Sequence, residues 1–387
     1  MNPVSIVTIK NKKPLFKGEE SATSIELIEL EEVGFDLVSQ KDLYQIGDKA
    51  VYIQPDYCVS DISLFESFIR PRGDESKSML GKVNGLPRRI RAKKFNLSIT
   101  PNGEPVYSNG ILLPCKEVEE YLNGCLDENT LTEKLNITKY EEPEYVSKTG
   151  MKVEGNLRFP EGIYKTDESN IHNQWRNIQF PITLVGTEKI DGSSCTIGIT
   201  PQIPEGFICS RNMRKKLKIN KAVGRRSMKW YEYLMFWKKP DLNIYEEVDS
   251  EDDFVKYGLP YLNILKEIDF ENIILRGELN GGHLKGSGNP NNPASKERAN
   301  IKFFGADQIS ENKVAVKVPY HNFISFANSL NFPVVKTVFQ KEFTSREDLL
   351  DTCKEYFKSN NIEGIVVRTL DSQFSAKVMN DVYDSKK

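Results

Sequence analysis

The segment Thr187-Glu188-Lys189-Ile190-Asp191-Gly192-Ser193-Ser194 decides the fold. It lies between two apolar runs, residues 182–185 and 195–199. Apolar, β-prone runs on either side of a glycine turn read as paired strands. One lysine then stands at a sheet edge, with an acid two residues on. Lysine is a nucleophile only when neutral, and a cationic neighbour, a bound metal or desolvation brings that about. A solvated lysine on a surface turn carries the same local pattern, so the segment needs support from elsewhere.

Support comes downstream, in order. Cys209-Ser210-Arg211-Asn212 follows about twenty residues later. Leu275-Arg276-Gly277-Glu278-Leu279 ends a strand candidate with a carboxylate, and Ile301-Lys302-Phe303-Phe304-Gly305-Ala306-Asp307 is an aromatic strand. Ile362-Glu363-Gly364-Ile365-Val366-Val367-Arg368 is a strand headed by a carboxylate, and Ser375-Ala376-Lys377-Val378 carries a late lysine. Together these resemble motifs I, Ia, III, IIIa, IV and V of the covalent nucleotidyltransferases, which comprise RNA ligases, DNA ligases and mRNA capping enzymes.

The surroundings separate the members. The resemblance to DNA ligases and capping enzymes calls for an OB domain after motif V, and ten residues follow Lys377. A zinc cluster of the NAD-dependent kind is not supplied by six scattered cysteines. The β-rich segments 44–53, 88–95 and 106–114, with Tyr164-Lys165-Thr166-Asp167-Glu168 and Ile171-His172-Asn173, resemble instead the Rnl5-type RNA ligases, the Deinococcus- and Naegleria-like group. That resemblance implies an α+β chain. An N-terminal OB-fold β-barrel (1–125) and a linker with helix (126–154) precede a C-terminal nucleotidyltransferase domain (155–387). The latter is ATP-grasp-like, with antiparallel sheets and flanking helices.

The resemblance also implies roles. Lys189 is the nucleophile that takes AMP from ATP. Lys377 holds the α-phosphate, and Glu363 binds Mg²⁺ or Mn²⁺. Glu278 takes the ribose hydroxyl, Arg211 a phosphate, and Asn212 ribose or RNA. Glu188, Ile190 and Asp191 line the adenine side, Asp191 with a second option of orienting the turn. The family usually has an arginine near Asn170, for which Arg176 or a lysine would substitute here. It also has an aromatic where Ala306 stands; Phe304, two residues earlier on the same strand face, is the expected stacking partner. The implied activity joins RNA 3′-OH and 5′-phosphate ends, at nicks or breaks in duplex RNA. A guanylyltransferase and a catalytically silent RNA-binding homologue stay open as alternatives.

Composition is ordinary for a soluble protein: 39% hydrophobic, 28% charged, formal charge -2. Signal-peptide and membrane-span patterns are missing, so an intracellular, cytoplasmic monomer is expected. The small net charge hides strong local runs. Residues 211–230 hold nine Lys/Arg and no acids, and residues 82–96 hold six and none. From these runs Arg211, Asn212, Arg214, Lys215, Lys216, Arg88, Arg89 and Arg91 are expected to contact RNA. Acidic runs lie at 19–32 and 241–253. The insertion at 213–262 reads as mostly helical, with 228–237 as a buried helix. Residues 346–359 have helical spacing, capped by Thr344 or Ser345. The Gly/Asn/Pro-rich stretch 280–293 reads as a loop near the site.

Overall fold

The computed structural model describes residues 2–140, 157–227, 229, 243–282, 284 and 292–384. It is a mixed α+β fold of antiparallel sheets.

The N-terminal module starts with β1 (Val4–Lys17), β2 (Glu20–Leu30), β3 (Asp36–Gln40) and β4 (Lys49–Ile53). Next come β5 (Tyr57–Cys58), β6 (Gly81–Val83), β7 (Leu86–Arg89) and β8 (Ile111–Pro114). Helices α1 (Cys115–Leu122) and α2 (Glu128–Lys134) and the short strand β9 (Thr138–Lys139) follow. Five strands form a curled sheet in the order β8-β4-β1-β2-β3. The long first strand serves both halves, pairing with β4 through Val4–Thr8 and with β2 from Ile9 onward. Register shifts at Ile9/Asn11 and Pro14/Phe16 let it bend, as bulges do. A second sheet runs β9-β5-β7-β6. The stretch from 126, expected as linker, is packed where it is described: Leu131, Leu135 and Ile137 are buried with Val51, Ile53 and Phe65. The rest of that stretch, 141–154, lies outside the described residues.

The C-terminal half contains β10 (Ile182–Lys189), β11 (Ser193–Thr200), β12 (Ile203–Cys209), β13 (Lys218–Arg225) and β14 (Asn243–Asp249). Then come α3 (Asp253–Glu267), β15 (Ile273–Asn280), β16 (Asn300–Ile309), β17 (Ala315–Lys317) and α4 (Tyr320–Ser329). It closes with β18 (Thr337–Phe343), α5 (Arg346–Ser359), β19 (Gly364–Arg368), β20 (Ser375–Met379) and α6 (Asp381–Asp384). A seven-stranded sheet holds β12-β11-β15-β16-β17, extended beyond β12 by Met213–Arg214 and Leu157–Arg158. A four-stranded sheet runs β18-β10-β19-β20. Helix α3 buries Phe254, Leu262 and Leu265 against the larger sheet. Helix α5 buries Leu349 and Cys353 against the smaller one, and Ser345 Oγ caps it by accepting from Asp348 N–H at 3.1 Å.

The insertion departs from the helical expectation. Strands β13 and β14 form a two-stranded hairpin, followed by α3. The expected buried helix at 228–237 and most of the loop 280–293 lie outside the described residues. The hairpin brings the basic run against the acidic one: Lys218 pairs with Glu247 at 3.4 Å and Lys221 with Glu251 at 2.7 Å. Charges that looked like separate patches are partners across a ladder.

The two halves meet around Gly34. Its N–H donates to the His172 carbonyl at 3.1 Å, and the Phe35 ring lies 4.7 Å from the His172 ring. A Cβ at Gly34 would fall 2.2 Å from Trp175 Nε1, so the approach needs glycine there. Asn173 Nδ2 also donates to Gln54 Oε1 at 2.8 Å. Among the described residues no helix is long and apolar enough to cross a membrane.

Candidate active site

Strand pleat explains how the pocket forms. Side chains alternate between faces along a strand. In β10, Leu184 packs on the α5 side and Val185 on the side of the larger sheet. Lys189 shares the Val185 face by period. Ile365 and Val367 of β19, and Ala376 and Val378 of β20, pack on the α5 side. Val366 and Lys377, register neighbours, therefore face the larger sheet. On that sheet Cys195, Leu279 and Phe303 are buried on the α3 side. Their neighbours Ser194, Glu278 and Phe304 point the other way, into the same space. The result is a cavity of about 370 Å³ between the sheets, with the N-terminal module as a further wall. Its size falls in the range of small-molecule sites.

Lys189 ends β10 opposite Gly364, so Glu363 arrives beside it. The ammonium donates to Glu363 Oε2 in a close ion pair, and the Glu363 side chain is 8% exposed. Gly192 makes the turn possible. A Cβ there would lie 2.6 Å from the Leu279 carbonyl oxygen, so motif I can lie on β15 only as glycine. Asp191 is buried, and Tyr383 of α6 donates to its Oδ2 at 2.8 Å. Asn292 Nδ2 donates to the Asp191 carbonyl at 2.8 Å. These contacts tie Asp191 to the turn, and the residue also lines the pocket. Burial and the Asp191 carboxylate push the Tyr383 hydroxyl well above its usual range.

Glu188 lines the pocket, with its carboxylate accepting from Tyr356 Oη at 2.6 Å. Ile190, Phe304, Val335 and Val366 supply apolar surface for a flat ring. Ala306 faces a neighbouring cavity instead. Glu278 and Lys377 also line the main pocket. Arg211 approaches Asp167 at 3.8 Å. The buried Asn212 Oδ1 has no hydrogen-bond partner, which leaves an acceptor for a ligand hydroxyl such as that of a ribose. Among the described residues no group of three His, Cys, Asp or Glu could hold a metal unaided. Glu363 offers one carboxylate, so a hard cation held there would need further oxygen ligands from elsewhere.

The basic residues expected on RNA scatter more widely. Lys215 is 5% exposed, paired with Asp252 at 3.4 Å and set 5.1 Å from the Phe254 ring. It lines the pocket and is buried there, its backbone N–H donating to the Ile208 carbonyl at 2.8 Å and its ammonium paired with Asp252. Arg214 pairs with Glu205 at 2.8 Å. Arg88, Arg91 and Lys216 are exposed and do not line the pocket. Arg89 does line it, bound to Asp56 and set 4.0 Å from the Tyr140 ring. The Arg176 side chain lies outside the description, while Asn170 bridges to Lys377 through the backbone.

Several pocket residues carried no sequence signal. Asp56 accepts from Lys377 Nζ at 3.3 Å, and Lys139 pairs with Asp167, both from the N-terminal module. Tyr383 and Tyr356 hold motif I from two other elements. Only the turn dipeptide Pro55-Asp56 hinted at a special backbone. A lysine paired with a carboxylate, a second lysine and an apolar slot can together bind a nucleotide and attack its phosphate.

Comparison with known proteins follows this geometry. No curated protein matches by sequence. Structures of Naegleria gruberi RNA ligase match over nearly the whole of both chains at 20% identity. A lysine-to-methionine mutant with AMP and Mn gives a TM-score of 0.69, covering 100% of this chain and 99% of that one. A glutamate-to-alanine mutant with AMP and Mn gives 0.70 over the same shares. An arginine-to-alanine mutant with ATP and Mn gives 0.68, covering 99% and 98%. At that identity the match speaks for the fold. Residues 182–379, just over half of the chain and the span that holds Lys189, Glu278, Glu363 and Lys377, match the RNA ligase family model, and the chain belongs to the RNA ligase family.

Proposed function

We propose that the protein is an ATP-dependent RNA ligase that seals 3′-OH and 5′-phosphate ends at nicks or breaks in duplex RNA. The observation that carries this is the Lys189–Glu363 pair in a pocket that also holds Lys377, Glu278 and Phe304. The N-terminal module serves as an OB-type nucleic-acid platform beside a nucleotidyltransferase domain. The Naegleria structures with ATP or AMP and Mn support the choice of nucleotide and metal type.

The chemistry divides into three phosphoryl transfers. Glu363 holds the Lys189 side chain in place until the nucleotide loads. Lys189 passes one proton to solvent and its Nζ attacks the α-phosphate; the N–P bond forms as the P–O bond to the β-phosphate breaks, pyrophosphate leaves, and the nitrogen sheds a second proton to solvent. AMP passes next to the RNA 5′-phosphate, freeing Lys189. The 3′-OH finally attacks that phosphate, closing the strand and expelling AMP. Each transition state spreads negative charge over phosphate oxygens, which Lys377 and Arg211 meet. Glu363 would hold Mg²⁺ or Mn²⁺, which would supply further positive charge there. Phe304 stacks on adenine, and Glu278 with Asn212 holds the ribose.

Labelled ATP and a divalent metal should yield an acid-labile Lys189–AMP adduct, absent in Lys189→Ala. An adduct that persists in that variant, or none in the wild type, refutes the assignment. Labelling by GTP instead would point to the guanylyltransferase. Sealing of a nicked RNA duplex separates a ligase from a silent binder. The 3′-OH strand should need ribose, since A-form geometry and the 2′-OH are read near the break; equal sealing of an all-DNA nick would contradict this.

A further inference from the structure

The N-terminal module reaches into the pocket with a carboxylate that no catalytic motif includes. Asp56 lies in the turn between β4 and β5, with a backbone φ of 66°. That left-handed conformation is tolerated better by Asp than by most residues, and it persists where neighbours fix it. Here the Asp56 N–H donates to the Ile90 carbonyl at 2.9 Å, and its carbonyl accepts from Tyr140 N–H at 3.0 Å. Oδ1 accepts from Arg89 Nη2 at 2.8 Å, and Oδ2 from Lys377 Nζ at 3.3 Å. Arg89 is steadied in turn by the Tyr140 ring. The turn, the arginine and the ring form a bracket that presents one negative charge to Lys377 across the domain boundary. Burial would raise the Asp56 carboxyl, but Lys377 and Arg89 together hold it at about 2, so it stays charged at working pH.

The two pocket lysines are therefore each held by a carboxylate, Lys189 by Glu363 and Lys377 by Asp56. A phosphate that approaches Lys377 meets the Asp56 charge at the same ammonium. Two anions on one cation repel, so Asp56 and a phosphate compete for it.

We propose that Asp56 is a positioning residue for nucleotide loading: it holds Lys377 in the nucleotide-free enzyme and is exchanged for a phosphate of ATP. The N-terminal module thereby sets the nucleotide affinity of the catalytic domain. This rests on the assignment of Lys377 as a phosphate ligand. Asp56→Asn keeps the shape and the acceptor for Arg89 while removing the charge.

The test measures lysyl-AMP formation against ATP concentration in the full chain. Asp56→Asn should lower the KM for ATP by roughly two- to fivefold, the range for a partly exposed ion pair, with little change in kcat. Asp56→Ser should do the same, and Asp56→Glu should return the KM toward the wild-type value. In a Lys377→Gln background, read by equilibrium binding of ATP because that variant loses a transition-state contact, the gain should vanish. An unchanged or raised KM in both neutral variants overturns the proposal. So does a full gain that persists without Lys377, since general repulsion would then explain it. Absence of lysyl-AMP in the wild type would instead remove the ligase assignment, which makes the two failures distinguishable.

Discussion

The pocket between the two sheets has two unlike walls. The catalytic wall carries its chemistry at strand ends: Lys189 closes β10, Glu363 precedes β19, and Glu278 lies on β15. The N-terminal wall carries it in a turn and a two-residue strand, through Asp56 and Lys139. Ladder register fixes the first group, so their relative positions follow from the sheet. Closure of one module on the other fixes the second group. The first wall is therefore suited to bond-making, and the second to holding charges before substrate arrives.

Variants can break that contrast, starting with the largest effect. Glu363→Gln keeps the shape of the catalytic wall but removes the charge. It should slow single-turnover lysyl-AMP formation about 10²-fold or more, as loss of one preorganised charge does. A rate within a few-fold of wild type would place the metal elsewhere.

Closure should respond to acid. Burial, then the charges of Lys354 and Arg346, lower the His172 imidazole to about 4 from the usual 6.5. The unfolded chain binds the proton first, so stability is full above about pH 6.5. It declines as pH falls toward 4, by on the order of 3 kcal/mol at the limit. Urea titrations at a series of pH values should show the decline, and His172→Phe should flatten it.

Gly34→Ala forces the same contact open and should cost roughly 1–3 kcal/mol. A melting temperature equal to wild type would mean that the module relaxes freely there. Tyr383→Phe should be mildest, about 1 kcal/mol from one lost hydrogen bond to Asp191. It should reduce adenylylation and lower the melting temperature by only a few degrees, and equal rates would show that Asn292 alone suffices.

Much of the catalytic wall was legible because its signals are local. The strands around Lys189, the strand after Glu363 and the capped helix at 346–359 all show in short windows of sequence. Phe303 and Phe304 divide between core and pocket as strand period requires. The hairpin was not legible. Its strands are exposed on both faces, so no apolar alternation marks them, and its basic run meets acids about thirty residues away. The burial of Lys215 was not legible for the same reason: Asp252, its partner, is distant in sequence. Asp56 meets Lys377 across 321 residues, a distance over which no window carries information.

The Tyr383–Asp191 hydrogen bond spans 192 residues. During synthesis Asp191 emerges first and waits for its partner. At about 5–20 residues per second the interval is roughly ten to forty seconds. Over that time the motif I turn lacks one of its anchors, so a nascent chain carries Lys189 before it carries a finished site. Ribosome-bound chains halted short of Tyr383 should therefore react with ATP poorly, even with the nucleophile and both flanking strands already made.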